Sequence, residues 1–156
     1  MLFRSKIAKG WATIRGKVYY FDARSGVMAT SRTVINGQTF HFKGDGAING
    51  ERGQAFTGWH TTGGGTKSHY FLVNGAYGTK GRMVKGLSTL SGRTYFFDNT
   101  GTSLTGWRTI SGRTYYFKPT GHPRGDRGQA LKGWHRINGR DCYFDSRGVY
   151  DANRRK

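Results

Sequence analysis

Apolar and polar positions alternate along this chain in short bursts of about five residues, and many bursts are mirrored across a two-residue turn. The clearest instance is residues 106–117, GWRTISGRTYYF. Side chains of a strand point alternately to the two faces of a sheet, so this pattern predicts two short strands. Ser111-Gly112 between them is a tight-turn dipeptide. A two-residue loop ending in Gly signals a hairpin because the turns that fit strand twist need positive φ. Pairing outward from that turn sets Ile110 opposite Arg113, Thr109 opposite Thr114, Arg108 opposite Tyr115 and Trp107 opposite Tyr116. One face then carries Ile110, Tyr115 and Phe117, and the other carries Trp107, Thr109, Thr114 and Tyr116.

The same unit recurs six times, with starts near 10, 31, 58, 86, 106 and 133. The turns fall at Arg15-Gly16, Asn36-Gly37, the longer Gly63-Gly64-Gly65, Ser91-Gly92, Ser111-Gly112 and Asn138-Gly139. Residues 1–9 read as the tail of a further copy, so the chain opens in mid-repeat, as a piece of a longer protein would. Copies start 20 or 21 residues apart in a short form and 27 or 28 in a long form. The additional residues in the long form resemble one another, as GERGQAF at 50–56 resembles GDRGQAL at 125–131. They read as an extra turn and short strand. Repeats of this period cannot bury an apolar face alone and do so on their neighbours. The expected fold is all-β, a β-solenoid of about six stacked hairpin repeats forming a single repeat domain over 1–156.

The two faces of the hairpin differ in kind. The isoleucine place is filled by Ile14, Ile35, Leu90, Ile110 and Ile137, and the closing place is Phe in all six copies, from Phe21 to Phe144. This face reads as core, and Cys142 falls on it as a buried, inert thiol. The opposite face carries four aromatic pairs: Trp11 with Tyr20, Trp59 with Tyr70, Trp107 with Tyr116, and Trp134 with Tyr143. Large aromatics beside small polar residues suit a shallow groove that stacks on a sugar ring or encloses a cation. The alternative is that the pairs pack one repeat on the next, and both roles can hold in different copies. Two copies lack the pair, having Arg32 with His41 and Leu87 with Phe96. The junction of the last two hairpins, with Trp107, Tyr116, Trp134 and Tyr143 all present, is the expected best site.

Composition sharpens this reading. Glycine accounts for 26 of 156 residues and aromatics for 15%, which suits repeated small hairpins better than one large aliphatic core. Lysine and arginine outnumber acids 26 to 8, a formal charge of +18. That balance favours anionic partners such as nucleic acid, a membrane surface or a phosphate-bearing wall polymer, or else it keeps an aromatic solenoid soluble. One cysteine permits no internal disulfide. The opening MLFRSKIAKG contains no apolar run long enough for a signal peptide or a membrane span.

A Gly-Trp start, an NG or SG turn, a Tyr-Tyr-Phe return and a Gly-rich joint resemble the cell-wall-binding repeat superfamily. That superfamily includes choline-binding modules, glucan-binding repeats and clostridial-toxin-type repeats. The resemblance runs from about Gly10 to Tyr150. It implies ligand sites between consecutive hairpins, a non-catalytic role tethering a larger protein to a surface polymer, and a secreted or cell-surface location. In choline-binding members the cage is similar to a trio of aromatics. Here the return-strand member of the trio is replaced by Val18, Thr39, Ser68, Thr94, Thr114 and Asp141. In that respect the chain looks more like the glucan-binding or toxin-type repeats.

Catalytic chemistry is not expected. Asp22, Asp98 and Asp145 each follow a hairpin's closing Phe, and Asp45, Glu51 and Asp126 lie in joints, where carboxylates serve turns. A glycosidase needs two carboxylates flanking a sugar bond, and the repeat offers no unique pair. His41, His60, His69, His122 and His135 show no metal-ligand spacing. No catalytic residue, metal or cofactor is therefore expected. The expected partner is a polysaccharide or a teichoic-acid-type wall polymer, with no membrane insertion. A nucleic-acid role is disfavoured because no nucleic-acid-binding motif accompanies the charge.

Overall fold

The structure, a computed structural model, describes residues 8–47, 51–62, 64–76, 78–119 and 127–156. The expected positions Gly63, His122 and Asp126, and most of the leading partial repeat, lie outside the described residues.

The described strands form antiparallel hairpins at the places that the alternation predicts. The first pairs β1 (Gly10–Ile14) with β2 (Lys17–Phe21), and the second pairs β3 (Arg32–Ile35) with β4 (Gln38–His41). The third is β5 (Gly58–Thr62) with β6 (Lys67–Phe71), and the fourth β7 (Gly86–Leu90) with β8 (Arg93–Phe97). The fifth is β9 (Gly106–Ile110) with β10 (Arg113–Phe117). The sixth, β11 (Gly133–Ile137) with β12 (Arg140–Phe144), gains a third strand, β13 (Tyr150–Asp151). Register in the fifth hairpin is the expected one, with Trp107 opposite Tyr116 and Thr109 opposite Thr114. The turns explain why register holds. Ser111 has φ 49° and Gly112 φ 73°, and the other two-residue turns repeat this, so both central residues are left-handed as a twist-matched hairpin requires. No helix occurs among the described residues.

Two compact units are distinguished. One holds the first two hairpins with residues 58–60 and 70–83, and the other holds the last three hairpins with residues 61–69. Within each, the joints do the stacking. In the first unit Ala55 N donates to Val18 O at 2.8 Å and Phe56 N donates to His41 O at 2.8 Å. The joint after the second hairpin thus bonds its own return strand and that of the hairpin before. The second unit repeats the rule: Ala130 N donates to Thr94 O at 2.8 Å and Leu131 N to Tyr116 O at 2.9 Å. Successive joints also touch, as Gly148 lies against Ala130.

The Phe face is core as expected. Phe40, Phe71, Phe117 and Phe144 are fully buried, with Tyr95 and Tyr115 nearly so. Cys142 is buried at 3%, and its thiol lies 3.7 Å from Arg140 O. Two expectations about the faces are corrected. Ile14 is 50% exposed; Ile35 is covered by Val18 of the preceding hairpin, whereas no hairpin precedes Ile14 among the described residues. Val18, Thr39 and Thr94, on the face expected to be open, are buried. Their carbonyls accept the amides of Ala55, Met83 and Ala130, so a third segment crowds places that a two-stranded hairpin leaves free.

The residue after the closing Phe separates the two joint forms. In short joints it is Asp: Asp98 Oδ1 accepts from Thr100 N at 2.8 Å and Thr102 N at 2.9 Å, and Asp145 Oδ1 from Arg147 N and Val149 N, both at 2.8 Å. Burial alone would raise these two carboxyls, but the hydrogen bonds outweigh it and hold both below the usual range. At Asp22 the bonds from Ser25 and Arg24 do the same. Long joints have Lys43, Leu72 or Lys118 there, and close by a backbone ladder instead: Lys118 N donates to Gln129 O at 3.0 Å and Gly128 N to Lys118 O at 2.8 Å. Glu51, bonded by Lys43 and by Lys17 at 2.9 Å, is held down to about 2 and ties the first hairpin to the joint after the second.

Candidate functional site

Trp11 and Tyr20, Trp107 and Tyr116, and Trp134 and Tyr143 are direct cross-strand partners, and lying an even number of residues from the turn puts both members on the face away from the closing Phe. Ring centroids lie 5.0 Å apart in Trp11–Tyr20, 5.2 Å in Trp59–Tyr70, 5.1 Å in Trp107–Tyr116 and 5.2 Å in Trp134–Tyr143, all edge-on or tilted. Such contacts add roughly 0.5–1.5 kcal/mol beyond area burial. The four pairs are therefore part of the architecture before any ligand arrives.

Beyond their partners, the pairs diverge. Trp11 packs on Phe40 at 4.8 Å and Phe42 at 6.2 Å of the next hairpin, and Tyr20 joins the same core cluster. Here packing dominates. A smaller cleft of about 360 Å³ opens beside it, lined by Thr13, Val18, Gly75, Ala76 and Lys80. Trp107 reaches Phe144 at 5.8 Å and Tyr150 at 5.2 Å, yet remains 37% exposed. It is the most open of the four.

Trp107 borders a cleft of about 490 Å³ between the fifth and sixth hairpins. One wall is Trp107 with Thr114, the second face of the fifth hairpin. The other is Ile137, Asn138, Arg140 and Cys142, and Tyr150 from β13 closes the end. Two aromatic rings standing at 74° to each other present one face and one edge to a guest. The quadrupole of a ring face attracts a cation, and its apolar surface accepts a sugar face or methyl groups. Cys142 enlarges this space, since Tyr19, Phe40, Tyr95 and Tyr115 occupy its place in other copies. Arg140 supplies a cation at the rim.

The structure brings together only part of the expected set. Trp107 lines the cleft, whereas Tyr116 packs behind it on the Leu131, Ile137, Cys142 and Phe144 cluster. Trp134 and Tyr143 are not in the lining; they form the pair of the sixth hairpin, and Arg154 sits over the Tyr143 ring at 4.1 Å. Tyr150 is the residue that sequence reasoning missed. Its signal was available: the chain after Phe144 repeats the short-joint pattern, so an aromatic there falls beside the preceding hairpin.

The histidines serve structure where they are bonded. His69 Nδ1 is 2.9 Å from Gly101 O and its Nε2 is 3.2 Å from Thr62 Oγ1. Among the described residues no group of His, Cys, Asp and Glu is placed to hold a metal.

Comparison with known proteins gives a consistent answer. Residues 84–122 match the family model of the choline-binding repeat, and residues 9–28 match that of a putative cell wall binding repeat. Choline binding protein F from Streptococcus pneumoniae, solved in the presence of a peptidoglycan analogue (tetrasaccharide-pentapeptide), is 29% identical with a TM-score of 0.72. That match covers 96% of this chain and 43% of the other. CbpJ from Streptococcus pneumoniae TIGR4 is similar in fold, at 24% identity and a TM-score of 0.71 over 92% of this chain and 42% of that one. The pneumococcal cell wall endolysin of phage Cp-1, complexed with choline, shares the fold at 17% identity and a TM-score of 0.57, over 94% of this chain and 38% of that one. This chain thus spans less than half the length of these relatives. No curated protein sequence matches it. The hairpin repeats, the two matching repeat models and the likeness to choline binding protein F together support a cell-wall-binding repeat family for this chain.

Proposed function

We propose that this chain is a non-catalytic module that binds a wall polymer of the Gram-positive type, with a choline-like quaternary ammonium substituent held by Trp107 and Tyr150. The observation that carries the reading is the 490 Å³ cleft between the fifth and sixth hairpins, where these rings stand 5.2 Å apart. Thr114 leaves the return-strand wall non-aromatic, which on sequence alone favours a glucan-binding branch. Tyr150 supplies a second ring from a different strand, and the matches to choline-binding repeats support the choline branch instead. The net charge of +18 suits choline carried on a phosphate polymer better than free choline. Carboxylates spent on turns at Asp22, Asp98 and Asp145 support a binding role without catalysis. A secreted or cell-surface location follows from this reading, and so does attachment of a larger protein to the wall.

Affinity per cleft should be weak and raised by several sites on one polymer through effective concentration. The test is calorimetric titration of the chain with choline chloride, with isomalto-oligosaccharides as the competing ligand class. Losing two cation-facing rings at about 0.7 kcal/mol each weakens binding about tenfold. Trp107→Ala with Tyr150→Ala should show that loss for choline. Undiminished choline binding by this variant, or binding of the oligosaccharide alone, refutes the choline reading.

A further inference from the structure

The cleft between the fourth and fifth hairpins has the same construction as the Trp107 cleft and a more basic lining. Its volume is about 350 Å³, and its second-face wall carries Leu87 where the neighbouring cleft carries Trp107. Leu87 is 42% exposed and offers no ring to a cation. Arg113, Lys132 and Arg147 line the cleft instead, together with the hydroxyl residues Thr89 and Ser146. No carboxylate is in the lining.

Asp145 accounts for Arg147 only. Asp145 accepts from Arg147 at 3.1 and 3.2 Å through the guanidinium, and its other oxygen is committed to backbone amides. Neither Arg113 nor Lys132 has a carboxylate partner among the described residues. Two cations with no carboxylate partner among the described residues therefore face one concavity, which the buried Tyr115 also lines. A planar guanidinium with its fork of donors, beside an ammonium and hydroxyls, fits the tetrahedral oxygens of a phosphate.

We propose that the cleft lined by Arg113, Lys132 and Arg147 is an anion site that takes a phosphate group of the polymer. The proposal rests on the wall-polymer reading and deepens it. In a phosphate polymer with cationic substituents, the phosphate and the substituent would occupy neighbouring clefts of different chemistry. Occupying both raises affinity by effective concentration. Replacement of tryptophan by leucine in the fourth hairpin is then a change of ligand group rather than decay of a site. A basic residue recurs at the start of the return strand within the same unit, at Lys67, Arg93, Arg113 and Arg140, as a phosphate polymer crossing several hairpins would require.

The experiment is a ¹⁵N–¹H correlation titration of the whole chain with inorganic phosphate at low salt, alongside one with choline chloride. Saturable shifts are expected first at Gly92, Thr94, Arg113 and Lys132. Arg113→Gln with Lys132→Gln should weaken that saturation about tenfold, the loss of one to two charge-assisted hydrogen bonds. The charge-preserving Arg113→Lys with Lys132→Arg should retain most of it. Both side chains are exposed, and the amide spectrum itself reports whether each variant is folded. Phosphate shifts spread evenly over all basic residues, or saturation undiminished in the Gln variant, overturn the proposal. The choline arm separates the two readings. Saturable phosphate shifts without choline shifts at Trp107 and Tyr150 sink the choline reading and leave the anion site standing, whereas choline shifts alone sink only the anion site.

Discussion

Gly148 tests whether contact between successive joints holds the stack together. It is buried with φ +85°, and a Cβ added there would lie 3.0 Å from Ala130 Cβ and 3.2 Å from Leu131 O. Two costs follow for Gly148→Ala. Holding an L-residue in the left-handed region costs roughly 1 kcal/mol. Forcing a methyl into a packed contact costs about 1–3 kcal/mol more, because Ala130 is 1% exposed and is anchored through its own amide to Thr94 O. The expected loss is therefore about 2–4 kcal/mol, read from urea unfolding followed by tryptophan fluorescence and far-ultraviolet circular dichroism. The double variant with Ala130→Gly separates the terms. It removes the Cβ–Cβ contact but keeps the φ penalty and the Leu131 contact, so part of the loss should be recovered as a coupling of about 0.5–3 kcal/mol. A loss under roughly 0.5 kcal/mol for Gly148→Ala would put it in the range of ordinary surface changes. Joint-to-joint packing would then not be what holds the hairpins together.

Other outcomes follow from the same geometry. Ser111→Asn should stabilise the chain by about 0.5 kcal/mol in the same unfolding assay, since Ser111 sits at φ 49° and asparagine tolerates that region better. Glu51 has its carboxyl held from an ordinary 4.5 down to about 2, so its stabilising contribution is present above 4.5 and lost as pH falls towards about 2. Unfolding midpoints of Glu51→Gln should fall less steeply than those of the parent across that window, and parallel acid limbs would contradict the assignment. Cys142, 3% exposed, should react with an aromatic disulfide reagent only as fast as the chain opens; immediate labelling of the folded chain would show that the thiol is not in the core. Cys142→Tyr should retain the fold and lose choline binding, because a ring at that place fills the cleft beside Trp107.

What the amino-acid sequence determined by itself is everything that acts within one hairpin. A left-handed dipeptide such as Ser111-Gly112 sets the register, and alternation then assigns Trp107 to one face and Phe117 to the other. These are local consequences of φ and of a two-residue period, so they are legible without neighbours. The tertiary structure decided what faces what between hairpins. Sequence pairing put Trp134 and Tyr143 in one site with Trp107, yet the cleft beside Trp107 is closed by Tyr150 from a later strand. It read Ile14 as core and Thr94 as open, and their exposures are reversed. The joints are responsible, because their amides bond the return strand of one hairpin and that of the hairpin before, as Leu131 and Ala130 do with Tyr116 and Thr94. Which side chains then share a cleft depends on residues one repeat apart in sequence, and no local period encodes that. The Leu87 cleft shows the consequence: a lost tryptophan reads as decay along the chain and as a basic pocket once Arg113, Lys132 and Arg147 are brought round it.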